Sequence, residues 1–274
     1  MEIIIPTKGR TNTQLTITFF PKELRQRTTF VCPAKEVQRL KELRIDPEYQ
    51  VVAQPDPNWK IAAKRAWIIQ EWARRGHDKI VMLDDDLRFS TRISADDWHL
   101  KEIHKQDLIP EFKKLEDKLG PEFPHVGFGQ RQGNQNITEP GWKIPGKMCY
   151  VLGYYLPIVT RECKFDLVEL REDMAISLQL LLKGYPNAIL TETCVDQREF
   201  GKKASKIKRD EGGCARERTV EASNAEAQRL AELFPGYVSL IQRDYKSSTP
   251  RIEVICQWQK ALEYGLSQRA KQAS

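Results

Sequence analysis

A short apolar run that ends in three aspartates is the feature that most constrains what this chain can fold into. Residues 80–83 (Ile-Val-Met-Leu) lead directly into Asp84, Asp85 and Asp86. An uninterrupted apolar run of this length is typical of a strand buried on both faces, as in a parallel sheet. Open α/β sheets bind their ligands at the carboxyl ends of such strands. The aspartates are therefore predicted to lie at a ligand-binding edge.

Asp84 and Asp86 are predicted to point the same way, because alternate residues of an extended segment share a face. Two carboxylates on one side supply the hard oxygen ligands that Mg²⁺ and Mn²⁺ prefer. Substrate phosphates normally complete the coordination of such a metal. The alternative is an acidic loop that merely follows a strand. Three consecutive acids after so apolar a strand favour the metal–phosphate site.

Length and composition indicate a soluble globular protein. The chain has 274 residues, of which 40% are hydrophobic and 30% charged, and its size suits one large domain. No apolar stretch approaches a membrane span, and the N-terminus lacks the basic leader and cleavage site of a secretory signal. Six scattered cysteines without metal-ligand or disulfide spacing are expected to be reduced, as in the cytoplasm. The net charge of +6 permits a polyanionic partner without requiring one.

The order of predicted elements favours an α/β fold. Strands are predicted at 3–5, 28–32, 50–52 and 80–83, with helices at 36–44 and at 58–75, the latter capped by Asn58 and ended by Gly76. This alternation predicts a doubly wound, mostly parallel sheet in the first half. Further along, a charged amphipathic stretch covers 96–119, strands are predicted at 126–130, 150–159, 188–195 and 237–241, and helices at 168–183, 222–234 and 253–264. The polar segment 130–146 has no clear period, which is typical of a functional or mobile loop.

Glu172 and Asp173 form a second acidic feature, in the first turn of the predicted helix 168–183. Acids near a helix N-terminus are mildly stabilising without any function. A functional role would require a carboxylate that accepts a proton from a hydroxyl group. The sequence alone leaves these two interpretations about equally supported.

Together these motifs resemble GT-A glycosyltransferases. Residues 3–10 (Ile-Ile-Ile-Pro-Thr-Lys-Gly-Arg) resemble the first strand and the Pro-x-x-x-Arg turn that holds the nucleotide. The three aspartates resemble the DxD metal motif, and 61–65 resemble the helix whose arginine faces the nucleotide. Residues 170–173 (Leu-Arg-Glu-Asp) resemble the helix that carries the base of inverting members. The resemblance implies donor binding by Thr7, Lys8, Arg10, Arg65, Asp84 and Asp85, a Mn²⁺ or Mg²⁺ ion held by Asp86 and Asp84, and catalysis by Asp173, with Glu172 as the second candidate.

The resemblance also implies an architecture. It predicts an α/β, GT-A-like fold with a Rossmann-type, mostly parallel sheet flanked by helices. We expect a single domain over 1–274, with a nucleotide-binding half at 1–90, an acceptor and catalytic half at 91–215, and a C-terminal helical segment at 216–274.

A narrower resemblance is to phage TET-associated glycosyltransferases. Residues 82–89 (Met-Leu-Asp-Asp-Asp-Leu-Arg-Phe) and the later 212–214 (Gly-Gly-Cys), with Arg216 or Arg218, carry it. It implies transfer of a sugar, with glucose from UDP-glucose as the expected donor, to the hydroxymethyl group of 5-hydroxymethylcytosine in phage DNA. The partners would then be a sugar nucleotide and DNA containing modified pyrimidines.

A basic stretch that follows the predicted strand 188–195 is the main sequence feature relevant to a DNA acceptor. A flexible cationic loop can neutralise DNA phosphates, although it could also close over a donor diphosphate or be a solvated surface. The candidates for stacking on an extruded base are Trp142, Tyr150, Tyr154 and Tyr155, and Trp142 is the better one because a buried core role is at least as well supported for the tyrosines. The residues assigned to acceptor or DNA binding are Trp142, Arg131, Lys202, Lys203, Lys206, Lys208, Arg209 and Arg216.

The sequence departs from the GT-A pattern in two places. Residues 31–34 (Val-Cys-Pro-Ala) stand where many members have an aspartate that recognises uracil. The last histidine is His125, so the late histidine that often binds the metal is missing, and Asp196 is a possible substitute. Other functions stay open, namely a glycan, lipid or protein acceptor, an inactive DNA-binding protein with this fold, or a nucleotidyltransferase with the same metal chemistry.

Overall fold

The computed structural model describes residues 1–12, 14–43, 48–94, 99–134, 137, 139–197, 219–244 and 250–273. Within these residues, ten strands form one sheet and two more form a hairpin. The strands are β1 (Glu2–Pro6), β2 (Thr28–Pro33), β3 (Gln50–Gln54), β4 (Lys79–Leu83), β5 (Leu87–Arg92), β6 (Leu100–Glu102), β7 (His125–Gln130), β8 (Trp142–Lys143), β9 (Val151–Tyr155), β10 (Asn187–Gln197), β11 (Val238–Arg243) and β12 (Arg251–Cys256). The α-helices are α1 (Lys22–Arg25), α2 (Val37–Lys41), α3 (Ile61–Arg74), α4 (Leu108–Lys118), α5 (Leu156–Glu162), α6 (Glu172–Leu182), α7 (Val220–Leu233) and α8 (Trp258–Ala273).

The first half of the sheet is parallel, as the sequence predicts. Its strand order is β3-β2-β1-β4, and each neighbouring pair runs in the same direction. Ile3 and Ile5 of β1 pack in one hydrophobic cluster, and Ile4 packs in another on the opposite face. Because alternate strand residues point to opposite faces, a strand covered on both sides must be apolar at every position. That requirement explains the unbroken apolar runs in β1 and β4.

The second half adds antiparallel strands. The order continues as β4-β9-β7-β10-β5-β6, with β8 beside β10. β9, β5 and β8 run against their neighbours, whereas β7 and β10 pair in parallel. The result is a mixed α/β fold with a mostly parallel central sheet flanked by helices, which confirms the predicted GT-A-like fold class.

Several predicted boundaries are wrong. α3 begins at Ile61 after Lys60, so Asn58 does not cap it, although Gly76 does follow its end with a φ of +84°. The predicted strand 150–159 is β9 followed by α5, and Pro157 lies in the first turn of that helix, where proline is tolerated. The stretch 96–119 contains β6 before α4.

The predicted helix 253–264 is also wrong, because 251–256 form strand β12 and α8 starts at Trp258. Exposure alternates along β12 with a period of two residues, which is the pattern of a strand with one covered face. β12 pairs with β11 in the antiparallel hairpin. β5, a strand that was not predicted, follows the aspartates directly.

α8 packs closely against the end of α6. A Cβ atom added to Gly265 would lie 2.1 Å from the carbonyl oxygen of Leu181 and 2.3 Å from the amide nitrogen of Gly184. Only a residue without a side chain fits there. A third hydrophobic cluster joins α6, α7, β11 and α8 through residues that include Leu178, Leu230 and Leu262. The C-terminal elements are thus packed on the helix that begins with the acidic pair.

The cysteines within the described residues, Cys32, Cys149, Cys163, Cys194 and Cys256, are free thiols. Among the described helices, none combines the length and the apolar character needed to span a bilayer.

Candidate active site

Asp84, Asp85 and Asp86 form the connection between β4 and β5, at the carboxyl end of a central parallel strand. Asp85 and Asp86 are buried, and Asp84 is half-buried. The backbone of the turn is fixed, because the Asp85 carbonyl accepts hydrogen bonds from the amides of Leu15 and Thr16 at 3.0 and 3.2 Å. The three aspartates therefore lie together at the end of a strand, as the sequence predicts.

The loop after β1 supplies a threonine and an arginine to these carboxylates. The Thr7 hydroxyl donates to Asp85 Oδ2 at 2.5 Å. The Arg10 guanidinium contacts Asp85 Oδ1 at 2.6 Å and Asp86 Oδ2 at 3.0 Å. Gln14 donates to the Thr7 hydroxyl at 2.9 Å and to the Arg10 carbonyl at 2.8 Å, which holds the loop in shape. Thr7 and Arg10, both assigned to donor binding, therefore lie at the aspartate cluster.

Two further contacts fix the same loop. Lys64 of α3 is buried and donates to the Thr7 carbonyl at 2.8 Å. The Gly9 amide donates to Glu36 at 2.9 Å, and Gly9 has a φ of +72°, a conformation that favours glycine. Lys8 lies in this loop between Thr7 and Gly9. Its assignment to donor binding stays a prediction.

Arg65 joins the aspartates to the acidic pair on α6. Its guanidinium donates to Asp84 Oδ1 at 2.8 Å and makes an ion pair with Glu172 Oε1. Only 5% of Arg65 is exposed. Burial acts to lower the pKa of Arg65, but the carboxylates of Glu172 and Asp84 outweigh it and raise the pKa. A permanently charged arginine thus holds two separate carboxylate motifs together.

The two acids of α6 have different surroundings. Arg171 precedes the helix with a φ of +68°, a left-handed conformation that is costly for a non-glycine residue and that sets the direction in which α6 begins. Glu172 is buried against Arg65, whereas Asp173 is half-buried and accepts a hydrogen bond from the Met174 amide at 2.8 Å. Burial raises the pKa of Asp173, and the positive charge of Arg65 opposes that rise.

Burial also raises the pKa of Asp84, to about 6, with Arg65 lowering it and the neighbouring carboxylates of Asp86 and Asp85 raising it further. The pKa of Asp85 is raised for the same main reason, against the opposing charge of Arg10. Crowded carboxylates without enough positive charge are a natural site for a cation, because a divalent ion relieves their mutual repulsion.

The described residues suit a metal ion whose coordination is completed by a bound ligand. They do not suit a site in which protein side chains supply every metal ligand. Within them, no group of three or more His, Cys, Asp or Glu side chains converges on a metal position. Asp84 and Asp86 nevertheless offer carboxylate oxygens at one strand end, the donor type that Mg²⁺ and Mn²⁺ take. Mg²⁺ is commonly held by one or two carboxylates together with substrate phosphates and water.

Gln197, at the end of β10, was missed by sequence reasoning. Its side-chain amide donates to Asp84 Oδ2 at 3.2 Å. Successive strand residues point to opposite faces, so Asp196, the suggested substitute metal ligand, is directed away from Asp84. His125 is also away from the aspartates. It is fully buried, stacks on Tyr154 with ring centroids 4.7 Å apart, and its pKa is lowered to about 4 by burial.

Tyr150, which the sequence suggested only as an aromatic for base stacking, supports this site through its backbone. Its φ is +64°, and the Val151 amide donates across it to the Cys149 carbonyl at 2.7 Å, which makes a γ-turn. This type of turn is strained, and such strain is concentrated at functional sites. The Tyr150 carbonyl accepts from the Asp84 amide at 3.1 Å, so the turn directly supports the aspartates.

The residues assigned to the acceptor are only partly within the described chain. Trp142 is half-buried in β8, opposite Leu190 of β10, and packs against the main hydrophobic core. Arg131 donates to the Ser90 hydroxyl at 3.1 Å, beside β5. Both assignments stay predictions. Lys202, Lys203, Lys206, Lys208, Arg209, Arg216 and Arg218, together with 212–214, lie outside the described residues.

Fold and site together define a class of protein. A mostly parallel sheet presents a cluster of three carboxylates at a central strand end, and a buried arginine connects this cluster to an acidic helix start. This is the arrangement of a GT-A-like nucleotide-sugar transferase. The model of the TET-associated glycosyltransferase family matches residues 1–205. The chain therefore belongs to that family and is a sugar-nucleotide-dependent glycosyltransferase.

Solved structures resemble this one only distantly. A197 from STIV is 11% identical, with 72% of this chain and 86% of that chain covered and a TM-score of 0.41. The glycosyltransferase GlyE from Streptococcus pneumoniae TIGR4 is 14% identical, with coverages of 99% and 63% and a TM-score of 0.40. A putative nucleotide-diphospho-sugar transferase from Desulfovibrio desulfuricans G20 is 10% identical, with coverages of 61% and 68% and a TM-score of 0.34. No curated protein sequence matches the chain.

Proposed function

We propose that this protein is a metal-dependent, inverting glycosyltransferase that acts on DNA. It would move a sugar, with glucose from UDP-glucose as the first candidate, to the hydroxymethyl group of 5-hydroxymethylcytosine in phage DNA within the host cytoplasm. The observation that carries the proposal is the link from Asp84 through Arg65 to Glu172, because it brings the donor-side aspartates and the start of α6 into one site.

The geometry favours Asp173 as the general base. Glu172 is engaged by the buried Arg65, whereas Asp173 is half-buried on the next position of the helix. The Asp173 carboxylate would take the proton from the acceptor hydroxyl. That oxygen would form a bond to the anomeric carbon as the bond to the diphosphate breaks, with its electron pair leaving on the nucleoside diphosphate. Attack from the opposite side gives inversion.

Asp86 and Asp84 would hold Mn²⁺ or Mg²⁺ with the donor diphosphate. When bound, the metal neutralises the charge that develops on the leaving group. Thr7, Lys8, Arg10 and Asp85 would form the nucleotide side of the site, and Arg65 would position the carboxylates of Asp84 and Glu172. We further propose a single domain with a donor part at 1–90, an acceptor and catalytic part at 91–215 and a C-terminal part at 216–274.

Support for DNA as the acceptor comes from the family name and from the basic stretch after β10. A target base in a duplex must leave the stack to reach an enclosed carboxylate. The lack of an aspartate at 31–34 means that uracil, if it is the carrier base, is recognised by other groups.

Mass spectrometry of nucleosides tests the proposal directly. Purified protein is incubated with Mn²⁺, hydroxymethylated DNA and either UDP-glucose or a panel of other sugar nucleotides, with unmodified DNA as the control. The expected product is 5-hydroxymethyldeoxycytidine that carries one hexose, absent from unmodified DNA. Sugar transfer to a glycan or protein, with hydroxymethylated DNA unchanged, would overturn the proposed acceptor.

Metal removal tests the donor side. EDTA is expected to abolish transfer, and added Mn²⁺ or Mg²⁺ is expected to restore it. Asp86→Asn should abolish metal-dependent transfer while the protein keeps its circular dichroism spectrum. Full wild-type turnover in the presence of EDTA would contradict the assigned metal role.

A further inference from the structure

A cavity of about 580 Å³ opens beside the start of α6, and Asp84, Asp85 and Asp86 are not among the described residues that line it. Its walls come from α6, α7, the hairpin strand β12 and the segment before β9, with Lys147, Arg171, Met174, Ser223, Asn224 and Arg251 among the lining residues. The volume lies in the range of small-molecule and nucleotide sites. Most of its wall belongs to 219–254, which the family model does not cover.

The position of the cavity follows from the helical geometry of α6. Residues of an α-helix are separated by roughly 100° around its axis, so Met174 lies on nearly the opposite side from Glu172. Glu172 faces Arg65 and the donor aspartates, and Met174 lines the cavity. Asp173 lies between these two faces. A substrate in the cavity would therefore approach the base from the side opposite to the donor.

The cavity is electropositive. Lys147, Arg171 and Arg251 line it, and among the described lining residues Glu253 is the one acid. Arg171 is held across the cavity wall by contacts to the Ser223 hydroxyl at 3.3 Å and to the Ile252 carbonyl at 3.4 Å. A phosphodiester is the ligand chemistry that such a set of donors recognises, because arginine and lysine pair with phosphate oxygens.

The hairpin is fixed in position to form this wall. Asn224 of α7 accepts from the Ile252 amide at 2.9 Å and donates to the Pro250 carbonyl at 2.9 Å, so both of its side-chain groups hold the start of β12. Lys147 is close enough to Asp173 to favour the ionised carboxylate. Lys147, Arg171 and Asp173 also all act on the pKa of Cys256, which burial raises to about 12. Asp173, Lys147 and Arg171 therefore lie in the same region of the molecule.

We propose that this cavity binds a backbone phosphate of the nucleic-acid acceptor through Lys147, Arg171 and Arg251, and so directs the adjoining modified base to Asp173. The inference rests on the proposed function, since it assumes a nucleic-acid acceptor. It assigns acceptor binding to a wall built by α7 and β12, apart from the basic stretch after β10. The donor diphosphate is the alternative source of phosphate, and its site lies on the Arg65 side of α6.

The test compares acceptors with and without phosphate. Lys147→Gln/Arg251→Gln, and Arg251→Gln alone, are assayed with a hydroxymethylated oligonucleotide and with the free nucleoside 5-hydroxymethyldeoxycytidine. Arg251 is included alone because it is not among the charges that act most strongly on Asp173. Lys164→Gln/Arg229→Gln removes the same charge from exposed positions outside the cavity and serves as the control.

In the double variant, the KM for the oligonucleotide should rise about tenfold or more, since charged hydrogen bonds are lost. The salt dependence of DNA binding should weaken by about one counterion, because one phosphate is bound in the cavity. The wild-type preference for the oligonucleotide over the nucleoside should shrink in both cavity variants and persist in the control. The KM for the sugar nucleotide should change by less than about twofold, because donor contacts lie elsewhere.

Two results would overturn the cavity assignment while leaving the proposed function intact. One is transfer to DNA with an unchanged oligonucleotide KM and salt slope in the double variant. The other is a rise in the KM for the sugar nucleotide without a change for DNA, which would assign the cavity to the donor diphosphate. If the wild-type enzyme transfers no sugar to any hydroxymethylated DNA, the proposed function and the cavity assignment both fail.

Discussion

The charged side chains on the two sides of α6 differ in how deeply they are buried. On the donor side, Arg10 and Arg65 are already paired with Asp84, Asp85, Asp86 and Glu172 in the protein alone. On the cavity side, Lys147 and Arg251 are exposed and line an open space. The first region is a buried network whose members support one another, and the second is an open surface.

This difference indicates which substitutions should change both the activity and the free energy of folding. Removing one member of a buried ion pair leaves its partner desolvated and unpaired, which costs free energy of folding. Exposed charges contribute little to folding. Donor-side substitutions should therefore change both stability and activity, whereas cavity substitutions should change acceptor binding alone.

Asp173→Asn, at the junction of the two regions, should give the largest effect. The change keeps the shape and removes the proton acceptor, so turnover should fall by about 10² or more. Sugar-nucleotide binding, measured by calorimetry, should persist. The exposed Asp166→Asn on the loop before α6 is a matched control and should keep wild-type turnover. Near-normal turnover in Asp173→Asn with an inactive Glu172→Gln would identify Glu172 as the base.

The pH profile sharpens the same assignment. A general base must be ionised, and burial raises the pKa of Asp173. The kcat/KM of the wild-type enzyme should therefore fall on the acid side at a pH above the ordinary pKa of an aspartate. The residual activity of Asp173→Asn should lack that decline. An identical decrease in kcat/KM at low pH in both proteins would show that another group titrates.

Arg65→Met should destabilise the donor side by about 3 kcal/mol or more, because it leaves Glu172 buried without its partner. Urea unfolding measures the change in the free energy of unfolding. Arg74→Met on the same helix is the matched control, since Arg74 makes a surface ion pair with Glu71 and its side chain is 73% exposed. That control should lose far less stability, because surface ion pairs contribute little to folding. Equal losses of unfolding free energy in both variants would show that the buried ion pairs on the donor side contribute no more to folding than a surface ion pair does.

Arg251→Gln should give the smallest effect on folding, within about 0.5 kcal/mol of the wild type, because it changes an exposed side chain on the hairpin. Urea unfolding under the same conditions checks this value. A loss comparable to that of Arg65→Met would show that the cavity is part of the folded core and that the comparison is wrong.

The sequence predicts the donor side better than the cavity side, for a physical reason. An apolar run followed by acids specifies a buried strand and the chemistry at its end, so Asp84 to Asp86, Thr7 and Arg10 are found together as expected. Arg65 was also expected there, but its ion pair with Glu172 depends on how α3 and α6 pack, which a local pattern does not encode.

Gln197, Lys147 and Arg251 carry no local signal at all. They come from segments far apart in the chain that meet only through β10, the loop before β9 and the hairpin. Because a helix was predicted at 253–264, neither strand β12 nor the cavity wall that it forms was predicted. The alternation of charged and apolar residues at 251–254 (Arg-Ile-Glu-Val) was the available sequence signal for that strand.

The close contact of Gly265 with Leu181 and Gly184 has a consequence for evolution and for engineering. On the proposal that the cavity binds the acceptor, an exchange of the C-terminal elements between relatives would change which acceptor is recognised and would leave Asp84, Asp85 and Asp86 in place. Such an exchange is viable only where the incoming helix keeps a residue without a side chain at this joint. A chimaera that carries alanine there would displace α6 and, with it, Asp173. Checking that an incoming C-terminal sequence has glycine at this position is therefore a practical first step in building variants with new acceptor preferences.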